Sequence, residues 1–225
     1  MIRIKVGEIM IKYVIFDLDG TLIDTEKYFR IFWKKAAEVN GYTMSDGQAL
    51  ALRSLGRPFA PALMKEWFGE DFDYYAVRES RRSLMKAHLD KVGIEVKPGA
   101  VEALKWLKEN GYVVALATAT PVARATEQLK EVGLYPYFTK IVSAAQVEQG
   151  KPAPDVYLYA AKELGADPAE CLAVEDSPNG VLSAATAGMK VVMVPDQTEP
   201  EEELREKLYA CVESLTELPE VVKAC

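Results

Sequence analysis

The sequence predicts an α/β fold, a parallel sheet covered by helices, with a block of helices inserted after the first strand. Three observations carry this. Short uncharged runs rich in β-branched, aromatic or small apolar residues recur at Tyr13–Phe16, Tyr112–Ala117, Ile141–Ser143, Cys171–Val174 and Val191–Val194, as strands buried on both faces should. Between the later runs lie helical stretches long enough for right-handed crossovers, which make neighbouring strands parallel. From Thr25 to about Val96, by contrast, only helical periodicity is present.

Taken in order, residues 1–9 precede a second methionine, Met10, and read as an upstream extension or a short edge strand without function. Tyr13–Phe16 is the first core strand. Tyr28, Phe29, Phe32, Trp33, Ala36 and Val39 then recur at spacings of three and four, an amphipathic helix ending near Asn40-Gly41. Asp24 is the expected N-cap. Further helices are expected over Asp46–Leu55, Pro58–Phe68 and Tyr74–Lys91, closing an insert of about 70 residues. Its aromatic residues Trp33, Trp67, Phe68, Tyr74 and Tyr75 read as the insert's own core. After Lys97-Pro98-Gly99, a helix over Ala100–Asn110 is closed by Gly111. Helices at Thr126–Val132, Asp155–Leu164 and Val181–Ala187 separate the remaining strands, and the acidic run Glu199–Glu206 reads as a solvated helix face.

Composition excludes several classes. The 225 residues suit one domain, or one domain with an insert. A net charge of -7 lacks the basic footprint of a nucleic-acid binder, and no apolar run approaches a membrane span. No signal peptide is expected. The charge is uneven: residues 25–95 hold 12 Lys and Arg against 10 Asp and Glu, while the rest of the chain holds 15 against 24. Cys171, Cys211 and Cys225 are an odd number at wide spacings, neither a disulfide framework nor a zinc pattern, so a reducing cytoplasm is the expected setting. The single histidine, His88, lies in a charged helical stretch and reads as solvated surface, which argues against a Ser-His or Cys-His nucleophile.

Function is expected at the carboxyl ends of the strands, where a parallel sheet opens its ligand crevice. Asp17 and Asp19 follow the first strand directly, and residues two apart in extended chain point the same way. Gly20 permits the turn after them. Thr118-Ala119-Thr120 follows the next strand, where a hydroxyl and the N–H groups entering a helix make an anion seat. Lys151, with Pro152 and Pro154 stiffening its loop, follows the third. Glu175 and Asp176 end the fourth. Adjacent acids there need a cation, donors or water, and hard oxygens without His or Cys suggest magnesium.

Asp17-Leu18-Asp19-Gly20-Thr21, then Thr118, Lys151 and the pair Glu175-Asp176, each at the mouth of a successive strand, together resemble the four motifs of the haloacid dehalogenase superfamily of phosphohydrolases. The resemblance covers nearly the whole chain. It implies a Rossmann-like core over residues 1–23 and 96–225, with residues 24–95 as a helical cap of the C1 type. The stretches Lys151-Pro152-Ala153-Pro154-Asp155 and Glu175-Asp176-Ser177 are most similar to the branch of sugar phosphatases and β-phosphoglucomutase. One position departs: β-phosphoglucomutases carry a His in the first cap helix, where Phe29 stands here.

The resemblance further implies a small phosphorylated metabolite as substrate. Asp17 would be the nucleophile and Asp19 the acid and base. Thr118 and the N–H of Ala119 would hold phosphoryl oxygens, with Lys151 balancing charge. Magnesium would be held by Asp17, Asp176, the carbonyl of Asp19, and Glu175 directly or through water. Arg53, Arg57, Arg78, Arg81 and Arg82 are cap candidates for substrate contact, Arg57 first, because Leu55-Gly56-Arg57 resembles the family's substrate-contacting cap loop. The runner-up readings are a phosphosugar mutase and, from another class, a phospho-accepting module without turnover.

Overall fold

Residues 10–225 are described by a computed structural model; the stretch 1–9, read above as an extension or edge strand, lies outside them. Among the described residues six strands form one sheet: β1 (Tyr13–Phe16), β2 (Val113–Thr118), β3 (Lys140–Ser143), β4 (Cys171–Glu175), β5 (Lys190–Met193) and β6 (Ala210–Cys211). Their spatial order is β3-β2-β1-β4-β5-β6, and every neighbouring pair is parallel. The chain thus winds outward in both directions from β1. In such a sheet the crevice opens where the winding reverses, beyond the carboxyl ends of β1 and β4.

Alternation along β1 divides the core between the two faces. Val14 and Phe16 face α5 (Ala100–Glu109), α6 (Val122–Glu131) and α10 (Leu218–Lys223), among Leu104, Leu107, Leu129 and Val222. Ile15 faces α7 (Asp155–Leu164) and α8 (Pro178–Thr186), among Tyr157, Ala160, Val181 and Ala184. The short α9 (Glu202–Arg205) lies in the acidic run, with Glu202 and Glu203 exposed and Leu204 buried.

Between β1 and α5 come α1 (Glu26–Val39), α2 (Asp46–Ala51), α3 (Phe59–Phe68) and α4 (Tyr74–Val92). They share an apolar cluster of their own around Trp33, Ala37, Met44, Leu52, Met64 and Val77. Of the aromatic residues assigned to this core, Trp33 and Tyr74 are buried and Trp67 and Phe68 pack against them, but Tyr75 is 61% exposed. His88 also differs from expectation. It is half-buried, with its ring 4.7 Å from that of Tyr28 and 5.3 Å from that of Phe32.

Element ends depart where local chemistry outweighs periodicity. The N-cap position of α1 is Thr25, not Asp24, whose carboxylate instead pairs with Lys27 at 2.5 Å. The second helix stops at Ala51 rather than Leu55, which frees residues 52–57 to reach the core. The helix expected from Val181 begins at Pro178, because the Ser177 hydroxyl accepts the N–H of Gly180 and proline suits a first helical position. Likewise α6 starts at Val122, directly after Pro121, not at Thr126. β6, only two residues long, and α10 carried too little periodic signal to be foreseen.

The freed loop docks through main chain. Gly56 N–H donates to the carbonyl of Lys151 at 2.8 Å, and Gly150 N–H donates to that of Arg57 at 2.6 Å. The two glycines are so close that a Cβ on either would overlap the backbone of the other. Asn179 Nδ2 adds a bond to the carbonyl of Arg53 at 2.9 Å. Gly56→Ala should therefore part the two loops. The expected result is amide hydrogen exchange at Gly150 faster by about tenfold, consistent with the net worth of one hydrogen bond, with the core strands unchanged.

Candidate active site

Registry brings the strand ends together. Phe16 pairs with Val174 on one side and Leu116 on the other, so Asp17 emerges level with Glu175 and beside the end of β2, where Thr118 lies. Thr118 itself pairs with Ser143, the last residue of β3. The loop that follows carries Lys151.

Lys151 is fully buried, an arrangement that is costly for an ammonium unless it is paired. Its Nζ donates to Asp17 Oδ1 at 2.6 Å and to Glu175 Oε1 at 2.5 Å. Tyr157 Oη donates to the same Glu175 oxygen at 2.6 Å, while Glu175 Oε2 accepts the Asp176 N–H at 3.2 Å. Burial works against the charged lysine, but Asp17 and Glu175 outweigh it and hold the ammonium above its ordinary value. Burial also pushes the Asp17 carboxyl up to about 7, with Lys151 pulling it down and Glu175 and Asp19 pushing it further up. Less solvation and a hydrogen bond from a single ammonium describe a carboxylate poised to accept a further positive charge.

Asp176 is the unfinished part. It is fully buried; Thr21 Oγ1 reaches its Oδ1 only at 3.5 Å, Arg53 Nε stands 3.8 Å from Oδ2, and among the described residues Oδ2 has no hydrogen-bond partner. Burial holds this carboxyl well above its usual range, against the pull of Arg53. One oxygen each from Asp17, Glu175 and Asp176 lie within 4.8 Å of one another. Gly20 (φ +87°) keeps that space open, because a Cβ there would overlap the Asp176 carboxylate and the Glu26 side chain. An orphaned oxygen in an all-carboxylate set fits a hard divalent cation.

Asp19 is arranged differently. Its Oδ1 accepts the Thr25 hydroxyl at 2.6 Å and its Oδ2 the Thr120 hydroxyl at 2.7 Å, so its side chain stands outside that triplet. With Asp17, Thr118 and Ala119 it borders a cavity of about 250 Å³ between the strand ends and the helical insert. Thr118 Oγ1 accepts the N–H of Thr120 at 3.0 Å, which leaves its proton free to donate. Pro121, the N-cap residue of α6, offers no side-chain bond, so that helix start is open to an anion.

The cap candidates divide. Arg57, Arg78, Arg81 and Arg82 border the cavity. Arg53 does so too but turns its Nη2 to the core, donating to the Asp176 carbonyl at 3.1 Å and to Thr198 Oγ1 at 3.0 Å. Thr25, Glu26, Tyr157 and Arg124 escaped the sequence reading, and Thr120 was named only as part of the anion seat, not as a partner of Asp19. Thr120 had a signal, since it stands two residues after Thr118 in a strand-end segment. Tyr157 had none, being one apolar-face residue of an ordinary helix.

Lys151→Met would leave two buried carboxylates facing each other without a cation. Urea unfolding should show a loss of about 3–5 kcal/mol, the usual cost of removing one partner from a buried pair.

Residues 11–188 match the family of haloacid dehalogenase-like hydrolases. Hexitol phosphatase A of Escherichia coli is 36% identical over 185 residues, covering 81% of this chain and 82% of that one. A phosphorylated carbohydrates phosphatase of Thermotoga maritima is 33% identical over 186 residues, 79% and 82% of the two chains. The crystal structure of β-phosphoglucomutase from Clostridium difficile superposes with a TM-score of 0.80 at 25% identity over 96% of this chain and 98% of that one. With its parallel sheet, the helices placed after β1 and the buried acid triplet at the strand ends, the chain belongs to the haloacid dehalogenase-like hydrolases, in the branch of sugar phosphatases and β-phosphoglucomutases.

Proposed function

We propose that this protein is a magnesium-dependent phosphatase that hydrolyses a small phosphorylated metabolite, a sugar phosphate by its relatives' names, through an aspartyl-phosphate on Asp17. The observation that carries the reading is Lys151 buried between Asp17 and Glu175, beside the unpartnered oxygen of Asp176.

A carboxylate attacking a phosphate must overcome like charge. Two unit charges about 4 Å apart repel by roughly 4 kcal/mol at an effective dielectric near 20. Lys151 offsets that repulsion from the Asp17 side, and Thr118 with the Ala119 N–H and the start of α6 holds phosphoryl oxygens. Asp17 and Asp176 would hold magnesium, with the Asp19 carbonyl and with Glu175 as ligand or as holder of its water, and the ion would supply positive charge at the phosphoryl oxygens. Glu175 already receives Lys151, Tyr157 and the Asp176 N–H, which favours the holding role.

Asp17 then displaces the alcohol at phosphorus. Asp19, aimed by Thr25 and Thr120, gives a proton to the departing oxygen and later takes one from the water that cleaves the aspartyl-phosphate. Residues 24–95 act as a cap that shuts water out of the cleft, over a core of residues 1–23 and 96–225. The free cysteines Cys171, Cys211 and Cys225 suit a reducing cytoplasm.

A mutase is the second reading, favoured by the likeness to β-phosphoglucomutase. Against it, Phe29 stands at the cavity where those enzymes carry a His, and the Arg81 guanidinium lies 4.5 Å from its ring. With a hexose 1-phosphate and a bisphosphate primer, free phosphate is the expected product, and isomer without free phosphate would favour the mutase. Across a panel of phosphorylated sugars, polyols and nucleotides, phosphate release should require magnesium and stop with a chelator. Asp17→Asn should abolish turnover in a folded protein. Asp19→Asn should slow both half-reactions by about 10²–10⁴-fold in rapid-quench measurements, the usual worth of general acid–base catalysis.

A further inference from the structure

Among the described residues six arginines border the cavity: Arg53, Arg57, Arg78, Arg81, Arg82 and Arg124. Arg53 is committed to Asp176 and Thr198. Arg82 meets Glu79 at 3.5 Å on a largely exposed side chain. Among the described residues, Arg57, Arg78, Arg81 and Arg124 have no carboxylate within 4.0 Å. The helical insert concentrates positive charge in an acidic chain, and α4 directs much of it inward.

Arg81 is the most telling. It is 7% exposed, its guanidinium lies 4.5 Å from the Phe29 ring and 4.7 Å from the Trp33 ring, and among the described residues its Nε has no partner. Burial pushes it down to about 9, and the like charges of Arg78, Arg124 and Arg82 press the same way, so it is still charged at neutral pH. Burial lowers Arg78 as well, with Arg82 and Arg57 adding repulsion. A buried guanidinium with an orphaned donor among its own kind is unfavourable until an anion arrives. The reacting phosphate already has its partners at the strand ends, where Asp17, Thr118 and Ala119 border the cavity and Lys151 stands buried behind Asp17. Sugar hydroxyls supply dipoles and cannot neutralise a cluster of full charges.

We propose that the substrate carries a second anionic group, a phosphate or a carboxylate, that docks on Arg78, Arg81 and Arg82 of α4, flanked by Arg57 and Arg124. The reacting phosphate at Asp17 rests on the function proposed above; the docking of the second anion does not. Arg81, held against the rings of Phe29 and Trp33, presents a pre-oriented fork, and the two α4 neighbours set the orientation of the chain between the two ends. Neutral-ended monophosphates are then poor ligands, since binding one leaves the cluster uncompensated.

Calorimetric binding to the Asp17→Asn variant with magnesium tests this without turnover, using fructose 1,6-bisphosphate, 3-phosphoglycerate and fructose 6-phosphate as probes. At least one two-ended ligand should bind about 10- to 100-fold more tightly than fructose 6-phosphate, the range for charge-assisted hydrogen bonds, and the tighter of the two identifies the docked group. Arg78→Ala and Arg82→Ala, on half-buried positions tolerant of truncation, should each cut that ratio about tenfold. Arg81→Lys should also lower it, because the charge remains while the fork is lost. Equal affinities, no binding by either two-ended ligand, or a preference that survives the Arg78→Ala/Arg82→Ala double variant would overturn the proposal. A preference that holds while the wild-type protein releases phosphate from no substrate would instead overturn the phosphatase reading and leave the docking site standing.

Discussion

A single ammonium with no access to water, held between two carboxylates, is the constraint to which the rest of the molecule answers. Lys151 can be buried only because Asp17 and Glu175 meet it, and they can meet it only because β1 and β4 are neighbours with Phe16 level with Val174. Strand order is therefore part of the electrostatics: moving β4 one place outward would separate the acids and strand the lysine. Tyr157, the Asp176 N–H and the Ser177 hydroxyl also donate to Glu175, so the pair is anchored from both helical and strand elements. What stays uncompensated is one oxygen of Asp176, and the glycine beside it keeps that gap clear of protein atoms.

Above this fixed floor the helical insert supplies a wall of opposite character. The floor presents Asp17, Asp19, Thr118 and Thr120; the wall is rich in arginine, aromatic and aliphatic side chains, with Glu26 among them. The division follows from how each part is built. Strand ends release short side chains into a crevice at set positions, whereas a long helix such as α4 can aim several long cations at one space from successive turns. A substrate with reactive and recognised ends would lie across the two.

Much of this was legible in the chain, for identifiable reasons. Asp17, Thr118, Lys151, Glu175 and Asp176 each stand just beyond an apolar run or in the loop after one, so the rule that function lies at strand ends could select them without knowledge of the packing. That Thr25 and Thr120 aim Asp19 was not legible, because a hydroxyl after a strand is equally a turn or cap residue, and only the fold shows which oxygen it meets. Arg53 could not be told from Arg57 by residue type, yet one is buried against Asp176 and the other exposed at the cavity rim. The early starts of α6 and α8 were written in Pro121 and in Ser177-Pro178, and periodicity alone overlooked them. Tyr157 is the opposite case, a buried aromatic whose role depends wholly on its hydroxyl finding Glu175.

The reciprocal bonds between Gly56 and Lys151, and between Gly150 and Arg57, involve no side-chain atoms. Recognition and seating are thereby uncoupled at Arg57, which is exposed at the cavity rim and could be exchanged for other residues while the loop lands in the same place, whereas Leu55 packs on the insert's own core. A lineage built on this scaffold can retune what it accepts by altering the tips of side chains, and the lysine at the floor would never register the change.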